Sequence, residues 1–221
     1  MTPRHHLDAT TLVSYAAGAL PPETAAIASL HFSACGHCRA KLLDAERIGG
    51  ALVERQLPTW SEGKASILRE TMLRALDEAH TVAAPAVHRA DRSDEDAMPE
   101  VLQPYFGKTF SALKWRWMGS GAHYVRVVGP SGVVLLLLRI APGKRMPVHG
   151  HQAGELTQIL QGAYHDALGY FQAGDAADLD SEIEHQPVTA PGPACICVSA
   201  LEKPLRFPGW FARKLQPVFG V

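Results

Sequence analysis

The sequence predicts an α+β protein in which an all-helical N-terminal domain is followed by a C-terminal β-barrel. Apolar residues recur at helical spacing up to about residue 80, whereas short β-rich runs separated by Gly and Pro dominate after residue 104. Between these regions the chain is rich in Ala, Pro and charged residues and shows no periodicity. We therefore expect a helical domain over residues 1–80, a linker over residues 81–100 and a barrel domain over residues 101–221.

The composition excludes several classes of protein. Of the 221 residues, 47% are hydrophobic and 19% are charged, which supports a packed core and not a disordered chain. Lys and Arg number 21 against 22 Asp and Glu, so the basic excess of a nucleic-acid-binding protein is absent. The longest purely aliphatic run, Val133–Leu138, is much shorter than the roughly 20 residues of a transmembrane helix.

The N-terminal residues and the cysteine content indicate a reducing compartment. The first eight residues, MTPRHHLD, contain no apolar segment of the signal-peptide type. The 4 Cys are too few for a disulfide scaffold. We therefore expect a cytoplasmic protein that does not interact with membranes, in which thiols are normally reduced and free to bind metal.

Four helices are expected in the N-terminal domain. Asp8 or Thr10 is suited to cap the first helix, and Pro22 suits the first turn of the second. The third helix is expected to stop at Gly49–Gly50. The fourth covers about residues 61–79, where an apolar stripe faces a charged remainder.

The second half of the chain contains five runs that are typical of strands. They are rich in β-branched, aromatic and aliphatic residues, and glycines and prolines separate them. They cover residues 115–117, 123–128, 133–140, 156–160 and 194–199. Several short strands at regular spacing favour a closed barrel or a sandwich.

An H-x3-C-x2-C motif lies in the helical domain. His31 and Cys35 are four residues apart, so a helix would place them on one face. Cys35 and Cys38 bracket a short turn that lets two thiolates converge on one ion. Zinc prefers four nitrogen or sulfur ligands in a tetrahedron, and these three residues supply all but one.

The fourth zinc ligand is expected to come from the N-terminal arm. His6 or its neighbour His5 is the best candidate, whereas His37 lies inside the turn between the cysteines and is badly placed. The alternative is a redox C-x2-C pair, or two buried thiols beside a surface His. A redox pair normally follows a strand, and the sequence predicts none before Cys35.

This motif, inside a short helical domain with an upstream His, resembles the zinc-binding anti-sigma factors. His5-His6-Leu7 and the segment Tyr15–Leu20 are similar to the ChrR subgroup of that family. The resemblance implies that the helical domain binds an extracytoplasmic-function sigma factor and keeps it from core RNA polymerase. It also implies that the helix over residues 61–79 contacts the sigma factor; otherwise its apolar stripe packs on the first three helices. The zinc ligands implied by the resemblance are His6, His31, Cys35 and Cys38.

A second metal motif lies in the predicted barrel. The segment Gly143–Gly162 fits G-x5-H-x-H-x3-E-x6-G, with His149, His151 and Glu155 at the fixed positions. The two His at i and i+2 on a strand point to one face, and Glu155 has the same parity. His185 follows about thirty residues later and could close the site from a facing strand. Three imidazoles and a carboxylate suit a divalent first-row metal.

The metal motif at residues 143–162 resembles the first of the two sequence motifs of the cupin barrel. In the second cupin motif, Gly174 and His185 can be placed, but the usual P-x-G and the trailing Asn are missing. The match implies metal binding more than catalysis, and we assign no residue to catalysis or to an organic cofactor. Cys195 and Cys197 share one side of a predicted strand, either as two small core residues or as a redox-sensing pair near the metal.

The two motifs in this order resemble the ChrR-type anti-sigma factors over nearly the whole chain. The resemblance implies a 1:1 complex with an extracytoplasmic-function sigma factor, released when the cupin senses singlet oxygen or a related oxidant. It implies zinc in the helical domain, a divalent metal such as zinc in the cupin, and no contact with nucleic acid. The alternative is a metal-dependent cupin enzyme of dioxygenase or isomerase type with a helical accessory domain.

Overall fold

The structure, a computed structural model, describes residues 2–57, 62–79 and 96–206. Among these, residues 2–49 and 96–206 form one compact unit, and residues 50–57 and 62–79 form a second. Residues 81–95 of the predicted linker lie outside the described residues, whereas residues 96–100 belong to the first unit. The predicted limits of the helical domain, linker and barrel therefore stay predictions.

The predicted helices of the N-terminal region are present. They are α1 (Ala9–Ala16), α2 (Pro22–Ala34), α3 (Gly36–Glu54) and α4 (Glu62–Ala79). Asp8 caps α1 by accepting a hydrogen bond from the Thr10 N–H at 2.7 Å. The expectation that the third helix stops at Gly49–Gly50 is wrong. Both glycines keep helical backbone angles, since each costs only about 1 kcal/mol relative to Ala.

No helix in residues 2–57, 62–79 and 96–206 combines the length and the apolar character that crossing a membrane requires.

On α4, the apolar side chains that the structure describes are exposed to solvent. They include Ile67, Leu68, Met72, Leu73 and Leu76.

A 3₁₀ turn (Glu100–Leu102) and the short helix α5 (Gln103–Phe106) lead into the sheets. The strands are β1 (Arg116–Gly119), β2 (Ala122–Val128), β3 (Val134–Ile140), β4 (His149–His151), β5 (Glu155–Gln161), β6 (Ala163–Asp166), β7 (Gly169–Gln172), β8 (Ala176–Leu179), β9 (Glu184–His185), β10 (Val188–Thr189), β11 (Cys195–Leu201) and β12 (Leu205–Arg206). All five predicted strands are present. Strands were also expected at His149–His151 and at His185, where β4 and β9 lie. The other short strands were missed because two to four residues are too few to show a period of two.

The strands form three antiparallel sheets. The largest has the order β1-β2-β3-β11-β5-β8, and two smaller sheets have the orders β10-β6-β7 and β12-β4-β9. Helices followed by sheets of this kind match the predicted α+β class.

The central strands of the large sheet are buried on both faces. On β3, Leu135 and Leu137 join a core shared with the helices, whereas Leu136 lines a cavity inside the barrel. On β11, Val198 joins the shared core and Cys197 lines the cavity. Such strands have apolar residues at consecutive positions because neither face meets water.

Helices α1 and α2 cover the outer face of this sheet. Leu12, Ile27 and Phe32 belong to the same buried cluster as Leu137 and Val198. The first 49 residues and the barrel therefore share one hydrophobic core.

A buried carboxylate also fastens α2 to the sheet. Glu23, in the first turn of α2, is 0% exposed and accepts hydrogen bonds from the Ser131 N–H at 3.2 Å and from the Ser131 hydroxyl. Gly129 must be glycine for this contact, because a Cβ there would lie 1.8 Å from Glu23 Oε1. The turn between β2 and β3 therefore fixes the start of α2.

We expect Ser131→Ala to destabilise the first unit. The buried Glu23 carboxylate would lose one donor, which should lower the free energy of unfolding by about 1–2 kcal/mol. Urea denaturation followed by circular dichroism measures this change. Ser33→Ala is the control, since the exposed Ser33 hydroxyl donates only to the Leu30 carbonyl, and it should cost less than about 0.5 kcal/mol. Equal losses in the two variants would contradict the role of Glu23.

Candidate metal centres

The structure brings together the four residues predicted as zinc ligands in the helical region. One nitrogen or sulfur atom from each of His6, His31, Cys35 and Cys38 lies within 4.8 Å of the other three. His31 lies in the last turn of α2, Cys35 ends that helix, and Cys38 lies in the first turn of α3. The Cys35 Sγ is 3.3 Å from His6 Nδ1 and accepts from the Cys38 N–H at 3.4 Å. We call these four residues the N-terminal group.

His6, and not His5, belongs to the N-terminal group. The His5 ring turns away and stacks on Phe171 with ring centroids 3.9 Å apart, and its Nε2 is 3.0 Å from the Tyr170 carbonyl oxygen. His37 is exposed and stacks on the His6 ring at 4.4 Å, outside the group as expected.

The N-terminal group has the burial and chemistry that fit a metal ion. His31 is 0% exposed, and its Nε2 has no hydrogen-bond partner among the described residues. Burial lowers the pKa of both His31 and His6, so each ring is neutral and offers a lone pair. Burial also raises the pKa of the Cys38 thiol to about 11. A cation would bind His31 Nε2 and favour the thiolate form of both cysteines. Two sulfur and two nitrogen atoms are the ligand set of a tetrahedral zinc site.

The four residues predicted as barrel ligands also converge. Atoms of His149, His151, Glu155 and His185 lie within 4.8 Å of one another, and we call these residues the barrel group. His185 lies on β9, which pairs with β4 so that His185 is directly opposite His149. His185 was expected on a strand that faces His149; it lies instead on the strand next to β4 in the sheet β12-β4-β9. Glu155 comes from the other side, at the start of β5 in the large sheet.

Two glycines of the barrel motif have backbone conformations that other residues avoid. Gly143 has φ +69° and Gly162 has φ +68°, both in the left-handed region. A Cβ on Gly162 would also lie 2.7 Å from the Ala194 carbonyl oxygen. These turns set where the segment carrying His149, His151 and Glu155 starts and ends.

Hydrogen bonds fix the proton positions on two imidazoles of the barrel group. His149 Nδ1 is 3.0 Å from the Pro147 carbonyl oxygen, and His185 Nδ1 is 2.8 Å from Asp166 Oδ2. Each Nδ1 therefore carries a proton, and a neutral ring then has its lone pair on Nε2. The two Nε2 atoms are 3.2 Å apart, a separation at which two lone pairs repel unless a cation lies between them.

The carboxylate of the barrel group is held in its ionised form. Burial alone would raise the pKa of Glu155, but the contacts with His151 and His149 and a 2.7 Å hydrogen bond from the Thr157 hydroxyl outweigh it and place the pKa at about 2. His151 Nε2 is 2.9 Å from Glu155 Oε2 at ion-pair distance, without hydrogen-bond geometry. Three imidazoles and one carboxylate fit a divalent first-row metal.

The barrel group lies at a cavity of about 390 Å³ inside the barrel. Tyr164, Cys195 and Cys197 line the same cavity, and most of its other lining residues are apolar. A hydrogen bond between the two thiols lowers the pKa of Cys195 and raises that of Cys197, and burial raises the latter further. Both cysteines are free thiols that share this side of β11, as expected.

Three residues that contact the candidate ligands were not predicted. Gln158 lies 3.1 Å from His31, Asp166 contacts His185, and Thr157 contacts Glu155. Thr157 and Gln158 are two consecutive polar residues between Leu156 and Ile159 in a predicted strand, and that interruption is a signal that could have identified them. No comparable pattern marks Asp166.

Comparisons with known proteins cover both halves of the chain. The family described as the ChrR cupin-like domain matches residues 106–203. The anti-sigma-E factor ChrR of Cereibacter sphaeroides is 36% identical over 222 residues, which cover 100% of each chain. The crystal structure of Rhodobacter sphaeroides SigE in complex with the anti-sigma ChrR matches with a TM-score of 0.70 and 33% identity, and covers 90% of this chain and 100% of that chain.

These matches confirm the predicted cupin barrel and the resemblance on which the functional expectation rests. Both the helical region and the barrel contribute to the match, since it extends over the full length. This chain belongs to the ChrR family of anti-sigma factors.

Proposed function

We propose that this chain is an anti-sigma factor that binds an extracytoplasmic-function sigma factor in a 1:1 complex and regulates transcription. The observation that carries the proposal is the full-length identity of 36% to the anti-sigma-E factor ChrR. The role is regulatory and not enzymatic. The alternative of a metal-dependent cupin enzyme is not favoured, because the similarity extends over the helical region as well as the barrel.

Exposed apolar side chains support α4 as part of the sigma-binding surface. Ile67 is 70% exposed, Met72 58% and Leu73 52%, and water contact at such side chains is unfavourable until a partner covers them. In this proposal, residues 1–80 bind the sigma factor, residues 81–100 link the domains and residues 101–221 sense the signal.

Zinc is the metal that we propose for the N-terminal group. Two thiols and two imidazoles match a structural zinc site, and the site joins the N-terminal arm to both α2 and α3. Its ligands therefore set the relative positions of three segments of the sigma-binding region.

The barrel is proposed to sense an oxidant of the singlet-oxygen type in the cytoplasm. Its group His149, His151, Glu155 and His185 suits a divalent metal such as zinc, and the adjacent cavity has room for a small molecule. The thiols of Cys195 and Cys197 line that cavity and are candidates to take part in sensing.

The direct test is to purify the full chain with an extracytoplasmic-function sigma factor from the same organism. Light scattering after gel filtration measures the stoichiometry, and transcription in vitro with added core RNA polymerase measures inhibition. A 1:1 complex that blocks sigma-dependent transcription supports the proposal. A sigma factor that neither co-elutes nor loses activity would overturn it.

We expect Cys38→Ser to remove about one equivalent of zinc and to weaken sigma binding at least tenfold, because a zinc site that loses a thiolate no longer joins the helices. Elemental analysis and titration calorimetry measure the two effects. His37→Ala is the matched control from the same turn and should retain both. Unchanged sigma affinity in a zinc-free Cys38→Ser protein would show that zinc does not organise the binding surface.

We expect His149→Ala to leave sigma binding unchanged and to blunt release by an oxidant, because His149 lines the barrel cavity and belongs neither to the N-terminal group nor to α4. Transcription with and without photochemically generated singlet oxygen measures the response. His165→Ala replaces an exposed barrel His and should behave as the unchanged protein. Lost basal inhibition in His149→Ala would contradict separate binding and sensing roles.

We expect Met72→Asp to weaken sigma binding about tenfold or more without changing the zinc content, because a carboxylate would be buried on the partner's surface. Calorimetry of the full chain measures the affinity. Thr71→Asp adds the same charge one residue away on α4 and should have a much smaller effect. Equal effects of both substitutions would argue against an apolar contact at Met72.

A further inference from the structure

Strand β5 is buried between the two candidate metal groups. Its residues Glu155 and Thr157 line the barrel cavity, whereas Leu156 belongs to the core shared with the helices. Gln158 has the parity of Leu156, is 2% exposed, and faces α2. One strand therefore presents a barrel-group ligand on one face and a buried amide on the other.

The Gln158 amide contacts a ligand of the N-terminal group. Its Oε1 lies 3.1 Å from His31 Nδ1, and both residues are buried. An amide oxygen only accepts, so Nδ1 of His31 carries the proton. The lone pair is then on Nε2, the ring nitrogen that has no hydrogen-bond partner among the described residues. Gln158 thus selects the tautomer that presents Nε2 as a ligand atom.

A barrel carboxylate holds the arm that carries His6. Asp175, which is 0% exposed and precedes β8, accepts from the Arg4 N–H at 2.6 Å and from the His5 N–H at 3.1 Å through Oδ1. Its Oδ2 accepts from the Gln172 N–H at 2.9 Å, which ties the carboxylate to the barrel itself. Two consecutive backbone contacts immediately before His6 fix the direction from which His6 enters the group.

We propose that two barrel residues orient ligands of the N-terminal group: Gln158 positions His31, and Asp175 positions His6. Mutation of a partner that orients a ligating imidazole typically lowers metal affinity about 10- to 100-fold. The stability of the metal in the helical region then depends on two barrel residues, although neither binds the metal. This inference rests on the proposed metal role of the N-terminal group and does not depend on the sigma factor.

Cobalt release from the full chain tests the proposal. Co²⁺ bound to thiolates gives a charge-transfer absorption that reports on Cys35 and Cys38, and Cys38→Ser assigns the absorption by removing it. The chain is loaded with Co²⁺ and mixed with excess EDTA, and the decay of this absorption is followed. Gln158→Met keeps the size of the side chain and removes the acceptor, and we expect the absorption to decay about 10- to 100-fold faster.

Two further variants separate positioning from general damage. Gln158→Glu retains an acceptor oxygen and should keep the decay rate within about threefold of the unchanged protein. Gln161→Met replaces a glutamine of the same strand that contacts the Ala194 carbonyl and not His31, and it should leave the decay unchanged. If Gln158→Met does not fold, Gln158→Glu still tests the inference, since fast release despite the acceptor would overturn it.

The outcomes distinguish this inference from the proposed function. Equal decay rates in Gln158→Met and the unchanged protein would overturn the positioning role and leave the anti-sigma proposal intact. Absence of the thiolate absorption from the unchanged protein would overturn both the inference and the proposed zinc site. Fast release from Gln158→Met, with rescue by Gln158→Glu, would support the inference whether or not a sigma factor binds.

Discussion

Burial of β3, β11 and β5 on both faces is the constraint on which the rest of the first unit depends. The outer face of these strands carries Leu137 and Val198 against α1 and α2, and the inner face carries Cys197 toward the cavity. A sheet buried on one face only would leave α2 without a core to pack on. Because α2 ends in His31 and Cys35, the position of the N-terminal group follows from that packing.

The buried ligands of the two candidate metal groups differ in their charge. The N-terminal group contains no carboxylate, and burial keeps its imidazoles and the Cys38 thiol neutral in the absence of a cation. The barrel group holds an ionised carboxylate, Glu155, which hydrogen bonding and nearby imidazoles stabilise. Among the described residues, His31 Nε2 in the first group and both ring nitrogens of His151 in the second are buried without a hydrogen-bond partner. A cation at each group would bind these nitrogens; the ligand types suit the zinc that we propose for the first group and several divalent metals at the second.

Sequence patterns predicted most of what local chemistry determines and little of what depends on tertiary contact. Spacing predicted His31, Cys35 and Cys38 on a helix and a tight turn, and His149, His151 and Glu155 along one extended segment. His6 was implied by the family resemblance, and His185 was a candidate from about thirty residues further along the chain. The choice between His5 and His6 stayed open, since it depends on Phe171, which is remote in sequence and stacks on the His5 ring. The end of α3 was wrong because Gly49–Gly50 weakens a helix without forcing a left-handed turn. Gln158 was missed because its partner, His31, is 127 residues away.

Strand β5 connects the barrel group with the N-terminal group over a short distance in sequence. Glu155 and Gln158 are three residues apart on the seven-residue strand β5, and pairing with β11 and β8 keeps that segment extended. No loop therefore separates Glu155 from Gln158, because both lie on the same paired strand. The contact from Gln158 to His31 is 3.1 Å long, and hydrogen bonds weaken steeply as their angle departs from linearity. In the proposal that Gln158 positions His31, strand β5 is therefore the segment that connects a ligand of the barrel group with a ligand of the N-terminal group.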